Sequence, residues 1–202
     1  MSQSTTPSRE IARRVFAREF NDATHTFKES DDERAPLYAL LPTGERANRV
    51  FLVGTLTETE DIGDENEYWR GRVVDPTGTF FVYAGQYQPE AATALRELET
   101  PTYVAVVGKP RTYETDDGSV NVSVRPESIT AVDEPTRTRW VVETASLTLE
   151  RLETFDEEGN EYAEMARREY EGDASAHRET VVEALESLDE EPSVEDAPES
   201  VT

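Results

Sequence analysis

The chain has 202 residues, of which 36% are hydrophobic, and a formal net charge of −24 at pH 7. A chain of this length can bury one core and carry a smaller appendage. It contains no cysteine, which excludes disulfide bonds, thiolate zinc sites and cysteine nucleophiles. Its longest apolar runs, such as residues 104–107, are too short to span a bilayer, so no membrane association is expected.

The charge comes from 44 Asp and Glu against 20 Lys and Arg, and only Lys28 and Lys109 are lysines. An acidic, lysine-poor, cysteine-free composition is typical of proteins from halophiles that accumulate salt. Two alternatives stay open: an acidic protein that repels nucleic acid, or an acidic mimic of DNA. Residues 156–202 hold 17 acidic residues and three arginines, yet the remaining chain is acidic too. This spread favours a halophile surface.

The N-terminal segment is predicted to form a helix. Thr6 and Pro7 suit a helix start, and apolar residues then recur at helical spacing to about residue 21, namely Ile11, Ala12, Val15, Phe16 and Phe20. This stripe either docks a partner or packs on the chain's own core. Residues 29–34 are expected to form a solvated connector. The opening MSQSTTPSRE has no apolar signal core, so a cytoplasmic location is expected.

Five β-rich runs lie between residues 48 and 133, with one helical pattern among them. The runs cover residues 49–60, 68–75, 79–84, 103–109 and 119–129, and the helical pattern covers residues 89–99. Gly54 suits sharp coiling of the first strand, and residues 75–78 (DPTG) suit a tight turn. The order of three strands, a helix and two strands is the signature of a five-stranded OB barrel. The predicted fold class is mainly β: this barrel with an N-terminal helix and C-terminal helices.

Four segments follow from this division. They are an N-terminal helix and connector (residues 1–47), an OB-fold domain (48–133), a C-terminal helical region (134–188) and an acidic disordered tail (189–202). The tail is assigned to disorder because it is acidic, contains two prolines and has almost no apolar residues. No internal repeat is visible.

Strand alternation predicts which side chains point away from the barrel core. With valines placed inside, the outward set combines aromatic and arginine side chains: Tyr68, Arg70, Arg72, Phe81, Tyr83 and Arg125. Lys109, Arg111 and Tyr113 run from the fourth strand into its hairpin loop and form a second candidate edge. Aromatic rings stack on nucleic-acid bases and arginines contact phosphates, so these nine residues are candidates for binding single-stranded nucleic acid.

Each candidate has an alternative. Trp69 is expected in the core because it shares a strand face with Gly71 and Val73. A neighbouring helix could cover Phe81, and the arginines at 70 and 72 could instead pair with carboxylates. The acidic hairpin tip, residues 114–117, opposes phosphate contact by that loop.

The barrel segments resemble a known family. RVFLVGTLTE from residue 49, YWRGRVVDPTGTFFVYAGQYQPEA from residue 68, TYVAVVGKPRTYE from residue 102 and VNVSVRPESI from residue 120 resemble the OB fold of replication protein A subunits. They are most similar to the haloarchaeal replication protein A-associated proteins. Residues 9–23 and 29–49 also resemble that family, so the resemblance covers about residues 8 to 155.

The resemblance implies a non-catalytic, cytoplasmic accessory subunit that binds single-stranded DNA and pairs with a cognate replication protein A in DNA replication and repair. It places strand contact on Arg70, Arg72, Phe81 and Tyr83. It places subunit assembly on the helix after the barrel (residues 135–155), with a partner-facing stripe of Trp140, Val141, Ala145, Leu149 and Leu152. The absence of a zinc motif favours an associated subunit over the main binder.

Alternatives to these implied roles remain open. The helix after the barrel could equally cover its own barrel. The protein could be an adaptor that tethers replication protein A without contacting DNA, or an acidic regulator that competes with DNA.

No catalytic constellation is visible. His25 and His177 are isolated, and neither nucleotide-binding glycine motif is present. Acidic runs such as residues 61–65 are expected to be solvated. No enzymatic activity, cofactor or metal is therefore expected.

Overall fold

The computed structural model describes residues 10–190. In that part of the chain it contains nine strands and five helices. They are β1 (Arg13–Arg14), α1 (Ala17–Asp22), β2 (Thr26–Phe27), β3 (Tyr38–Leu41), β4 (Glu45–Ala47), β5 (Val50–Asp61), β6 (Trp69–Asp75), β7 (Gly78–Ala84), α2 (Pro89–Glu97), β8 (Thr102–Glu114), β9 (Val120–Ala131), α3 (Glu134–Glu153), α4 (Glu161–Glu169) and α5 (Ala176–Glu186).

Strands β5 to β9 form a closed five-stranded barrel, which confirms the predicted OB fold. β5 pairs antiparallel with β8 through its first half and with β6 through its second half. A Cβ at Gly54 would lie 2.5 Å from the carbonyl oxygen of Val74, so only glycine permits this crossing. A parallel bridge between Val82 of β7 and Val124 of β9 closes the barrel.

The barrel core follows the predicted strand alternation. Val73, Phe80, Val82 and Val124 are fully buried. Leu95 of α2 plugs one end, and a Cβ at Gly71 would lie 2.7 Å from its side chain. The prediction is wrong for Val120, which is 39% exposed because the β8–β9 ribbon extends beyond the closed barrel.

The N-terminal helix is present but much shorter than predicted. Helix α1 has six residues, and the preceding Arg13–Arg14 is a strand parallel to β5, where Arg13 N donates to Arg49 O at 2.8 Å. Thr6 and Pro7 lie outside the described residues. Ile11 is 78% exposed, so it does not belong to an apolar stripe. The free edge of β5 supplies backbone partners that helical periodicity cannot reveal.

The remaining N-terminal apolar residues pack on the chain's own barrel. Val15, Phe16 and Phe20 are buried in the barrel core. Asp75, the first corner of the predicted turn, anchors this segment because its Oδ2 accepts a hydrogen bond from Ala17 N at 2.7 Å. Burial raises the pKa of Asp75, while bonds from Ala17 and from its own turn oppose the increase.

Helix α3 also covers the barrel, which corrects the predicted partner-facing stripe. Trp140, Val141 and Ala145 are buried within this chain, and Trp140 Nε1 donates to Phe51 O at 3.0 Å. The Trp140 ring meets Phe16 edge-on, with centroids 5.5 Å apart. An apolar helix face and a curved barrel wall bury each other, so these three side chains cannot face a partner. Leu149 and Leu152 are half-buried.

Helix α5 extends this cover, whereas α4 packs on β3 and β4 outside the barrel. Helix α5 packs against α3 and contributes Val181 and Ala184 to the core, while Ala163 and Ala166 of α4 are also buried. Along residues 10–190, no helix is both long and apolar enough to cross a membrane.

A buried ion pair connects α1 to α3. Glu19 is 1% exposed, and its Oε2 accepts a hydrogen bond from Arg151 Nη2 at 2.8 Å. The Thr43 hydroxyl also donates to Glu19, and Arg151 Nε donates to that hydroxyl at 2.8 Å. Burial acts to raise the pKa of Glu19, but Arg151, His177 and these hydrogen bonds outweigh it and hold the pKa below its usual value.

Glu19→Gln should therefore destabilise the protein at neutral pH by about 3 kcal/mol, because Arg151 loses its buried counter-charge. The pKa of Glu19 is lower in the folded than in the unfolded state. Its contribution is thus present above about pH 4.3 and is lost as the pH falls through the folded-state pKa. Urea unfolding of wild type and variant at several pH values should show their difference shrinking in acid.

Glu150→Gln, at an exposed position on α3, is the matched control and should change stability by less than about 0.5 kcal/mol. An equal loss in both variants, or a difference that persists unchanged into acid, would contradict this account.

Candidate nucleic-acid interface

Three tyrosines from separate elements meet on one side of the barrel. Tyr68 ends the β5–β6 loop, Tyr83 lies on β7, and Tyr113 lies near the end of β8. The rings of Tyr68 and Tyr83 are stacked, with centroids 5.9 Å apart and planes 20° from parallel. Burial, followed by charge interaction and hydrogen bonding with Tyr113, raises the pKa of Tyr83. We call these three residues the tyrosine platform.

Hydrogen bonds hold Tyr68 in place at the end of its loop. Asp61 Oδ1 accepts from the backbone N–H groups of Gly63 and Tyr68, each at 3.0 Å, and these bonds lower the pKa of Asp61. Ile62 N donates to Tyr68 O at 2.9 Å. A Cβ at Gly85 would lie 2.9 Å from the Tyr68 ring. The loop therefore presents Tyr68 in a defined orientation.

The predicted residues of β6 and β7 point outward together. Cross-strand register places Arg70 opposite Tyr83 and Arg72 opposite Phe81. Phe81 is 36% exposed, so the terminal helices do not cover it. Arg70 forms an ion pair with Glu60 at 2.5 Å, which is the alternative role considered for it. Trp69 packs against the core, as expected.

The predicted basic residues of the hairpin lie on strands rather than in a loop. β8 continues to residue 114, so Arg111 and Tyr113 extend along a β-ribbon, with Lys109 opposite Arg125 in its register. Arg125 is half-buried. Burial lowers its pKa, and nearby Arg111 lowers it further, while Glu127 acts in the opposite direction.

Along residues 10–190, no carboxylate forms a close ion pair with Lys109, Arg111 or Arg125, whereas many other arginines are paired. These three cations lie on β8–β9, and the exposed Arg72 of β6 has no close ion pair within those residues either.

The platform and two of these cations enclose one open cleft of about 460 Å³. Its lining includes all three platform tyrosines together with Gln88, Arg111 and Arg125. The structure thus brings five of the nine predicted residues into one concavity. Phe81, Arg70 and Arg72 continue the same surface along β6 and β7, and Lys109 lies beyond Arg125.

Three residues near this surface were missed by sequence reasoning. Gln88 lines the platform cleft, Tyr87 is 84% exposed beside it, and Arg34 shares a second cleft with the β8–β9 cations. The exposed aromatic in the QYQ segment between β7 and α2 was a usable signal. Arg34 had none, because it lies in an acidic connector whose place in the fold depends on tertiary packing.

The two histidines do not form a metal centre. His25 Nδ1 lies 3.3 Å from a Glu169 carboxylate oxygen, and the buried His177 lies 3.9 Å from Asp22. Among residues 10–190, no group of three or more His, Asp and Glu side chains could hold a metal ion.

No family model and no curated protein matches this chain. Solved structures resemble it in part. The S. pombe Stn1–Ten1 complex aligns with 66% of this chain and 85% of its own, at 12% identity and a TM-score of 0.49.

SSBb, the second single-stranded DNA-binding protein of Mycobacterium smegmatis, covers 42% of this chain and 86% of its own at 19% identity (TM-score 0.36). Mitochondrial Rim1 from S. cerevisiae covers 43% and 94% at 21% identity (TM-score 0.33). At these identities and TM-scores, the likenesses carry no conclusion about what this chain binds.

Tyr113→Phe should lower the pKa of Tyr83 toward its ordinary value of about 10, because the variant removes the hydroxyl that raises it. The pKa should stay above that value since burial persists. NMR titration of ring-labelled tyrosines measures this shift. Tyr103→Phe, outside the platform, should leave Tyr83 unchanged. A Tyr83 pKa that does not move in Tyr113→Phe would show that the two hydroxyls are not coupled.

Proposed function

We propose that this protein is a non-catalytic, cytoplasmic OB-fold subunit that binds single-stranded DNA and works with a replication protein A in DNA replication and repair. The observation that supports strand binding is the tyrosine platform, which shares its cleft with Arg111 and Arg125. The association with replication protein A rests on the resemblance of residues 8–155 to that family.

Base stacking supplies most of the affinity in this proposal. Tyr68 and Phe81 offer exposed ring faces along the surface that runs from the loop to β7. Each stacked base contributes about 1–3 kcal/mol, and every base has a π-face, so binding tolerates any sequence. A duplex keeps its bases stacked on each other, which limits this mode to single strands.

The β8–β9 cations contact phosphates beside the stacked bases. Arg111 and Arg125 have no close carboxylate partner among residues 10–190, so a phosphate meets donors that are not already engaged. Lys109 extends the same positive edge. Arg70 contributes less because Glu60 already occupies its guanidinium.

The net charge of −24 opposes DNA at low salt. The Debye length is about 3 Å at 1 M salt, so this long-range repulsion is screened there. Stacking does not depend on net charge, so it persists at high salt, and an arginine–phosphate contact is a direct hydrogen-bonded pair. Repulsion by the net charge should therefore oppose binding least in concentrated salt. An acidic composition is typical of proteins that work in such salt.

A second candidate is an adaptor that tethers a partner subunit without contacting DNA. Its supporting observation is that Val142 of α3 and Val182 of α5 are each 48% exposed on the outer helices. Leu149 and Leu152 remain proposed partner contacts, since both are half-buried. The adaptor predicts partner capture with no affinity for oligo-dT.

Fluorescence anisotropy with labelled oligo-dT in molar KCl tests the platform. Tyr83→Ala and Phe81→Ala should each weaken binding about tenfold, the equivalent of one lost stacking contact. Val142→Ala, which removes exposed apolar surface on α3, is the control and should bind as wild type does. A Tyr83→Ala/Phe81→Ala double variant that binds as tightly as wild type would refute the platform, and no binding by wild type would favour the adaptor.

The salt dependence of binding separates the free from the paired arginines. Arg111→Gln should reduce the slope of log affinity against log salt by about 0.7, the value for one phosphate contact to a single strand. Arg70→Gln should reduce it less, because Glu60 competes with phosphate. Titrations at several KCl concentrations measure both slopes. A larger reduction for Arg70→Gln would return the main phosphate contacts to β6.

A further inference from the structure

A second cleft lies between the N-terminal connector and the β8–β9 ribbon. It has a volume of about 650 Å³, and its lining includes Arg34 and Leu37 from the connector and Lys109, Arg111 and Arg125 from the ribbon. We call it the connector cleft. The sequence predicts only a solvated connector at residues 29–34, with no role in binding.

Hydrogen bonds order the connector backbone and join the residues after it to Asn48, just before β5. Asn48 Nδ2 donates to Leu37 O at 2.8 Å, and Arg34 N donates to Asp32 Oδ1 at 2.9 Å. Ala35 N donates to Asp32 O at 2.9 Å, which completes a turn around Arg34. The backbone that carries Arg34 is thus held in place.

The carboxylates of this cleft already have partners. Glu127 forms an ion pair with Arg49 at 2.5 Å. Glu10 Oε1 accepts from the Tyr38 hydroxyl at 3.1 Å and lies 3.9 Å from Arg46.

The other cations of the cleft have no such partner in residues 10–190; they are Arg34, Lys109, Arg111 and Arg125. Four cations that form no close ion pair among residues 10–190 therefore line one concavity, beside the paired Glu10 and Glu127, on a chain of net charge −24. Arg125 already has its pKa lowered by burial and by Arg111, so an anion here would relieve an existing repulsion.

The connector cleft is continuous with the platform cleft. Arg111 and Arg125 line both clefts. A bound strand that runs past the platform tyrosines and then past these two arginines therefore enters the connector cleft directly. An acidic peptide would satisfy the cations, but it would not use the aromatic surface that adjoins them. A polymer that alternates stackable bases with phosphates fits both parts.

We propose that the connector cleft is a phosphate-binding subsite where a nucleic-acid strand continues beyond the tyrosine platform, with Arg34 as its outermost contact. This inference rests on the proposed function. It makes the N-terminal connector part of the binding surface and lengthens the footprint past the barrel itself.

A third cleft, lined by Tyr87, adjoins the tyrosine platform and offers a strand another path. That cleft shares Lys109 and Arg125 with the connector cleft and contains Gln88, but the exposed Glu90 lies in it as well. Glu90 forms no ion pair within residues 10–190 and so opposes phosphate, whereas Glu10 and Glu127 of the connector cleft lie beside arginines. The connector cleft is therefore the favoured path, and Tyr87 serves to test it.

The experiment compares oligo-dT of about five and about twelve nucleotides, lengths that span the usual range for one OB barrel. Arg34→Gln should weaken binding of the longer strand several-fold and reduce its salt slope by about 0.7, while the short strand binds as to wild type. Arg18 is an exposed arginine whose backbone N–H donates to Thr77 in the β6–β7 turn. Arg18→Gln gives the same change in net charge and should alter neither the affinity for the longer strand nor its salt slope. Tyr87→Ala should also alter neither.

Three results would overturn the inference. Arg34→Gln could match Arg18→Gln on the longer strand, or Tyr87→Ala could carry the length-dependent loss. Alternatively, an oligoglutamate peptide could bind in an Arg34-dependent manner while DNA binding does not depend on Arg34. Failure of the proposed function is separate, since it appears as equal binding of the short strand by wild type and Tyr83→Ala.

Discussion

Closure of the barrel through β5 is the constraint on which the rest of this structure depends. One strand pairs with β8 and then with β6, and it can do so because Gly54 lets the backbone of Val74 approach. Closure removes the exposed edges that an open sheet would leave. It also brings β7 beside β9, so that Tyr83 meets Tyr113 across a sequence distance of 30 residues.

Arginines that form ion pairs and cations that form none are distributed unevenly over the surface. Several arginines elsewhere pair with nearby carboxylates, as Arg46 does with Glu29 and Arg96 does with Glu67. The cations of β8–β9, Lys109, Arg111 and Arg125, form no close ion pair within residues 10–190, although acidic residues dominate the composition. A chain of strongly negative net charge can therefore keep a local cationic surface, because charge acts through local contacts once salt screens longer distances.

Parts of both terminal segments pack on the barrel. Phe16 precedes the barrel in sequence and Trp140 follows it, yet their rings meet, and Trp140 donates to Phe51 of β5. Glu19 and Arg151 form a second contact between the same two segments. The apolar stripes of both segments are thereby used within the chain. An amphipathic pattern shows that a helix face is buried, but it does not show what buries it.

The sequence by itself determined the barrel, because strand alternation, the DPTG turn and the glycine in the first strand are local signals with local causes. It also identified outward-facing rings at Tyr68, Tyr83 and Phe81, since the side-chain period of a strand is two. Tertiary structure alone decided that Trp140 faces inward, that residues 13–14 pair as a strand, and that Arg34 joins the β8–β9 cations. These outcomes depend on which surfaces remain uncovered once the barrel closes, and that is a property of three-dimensional packing rather than of any sequence window.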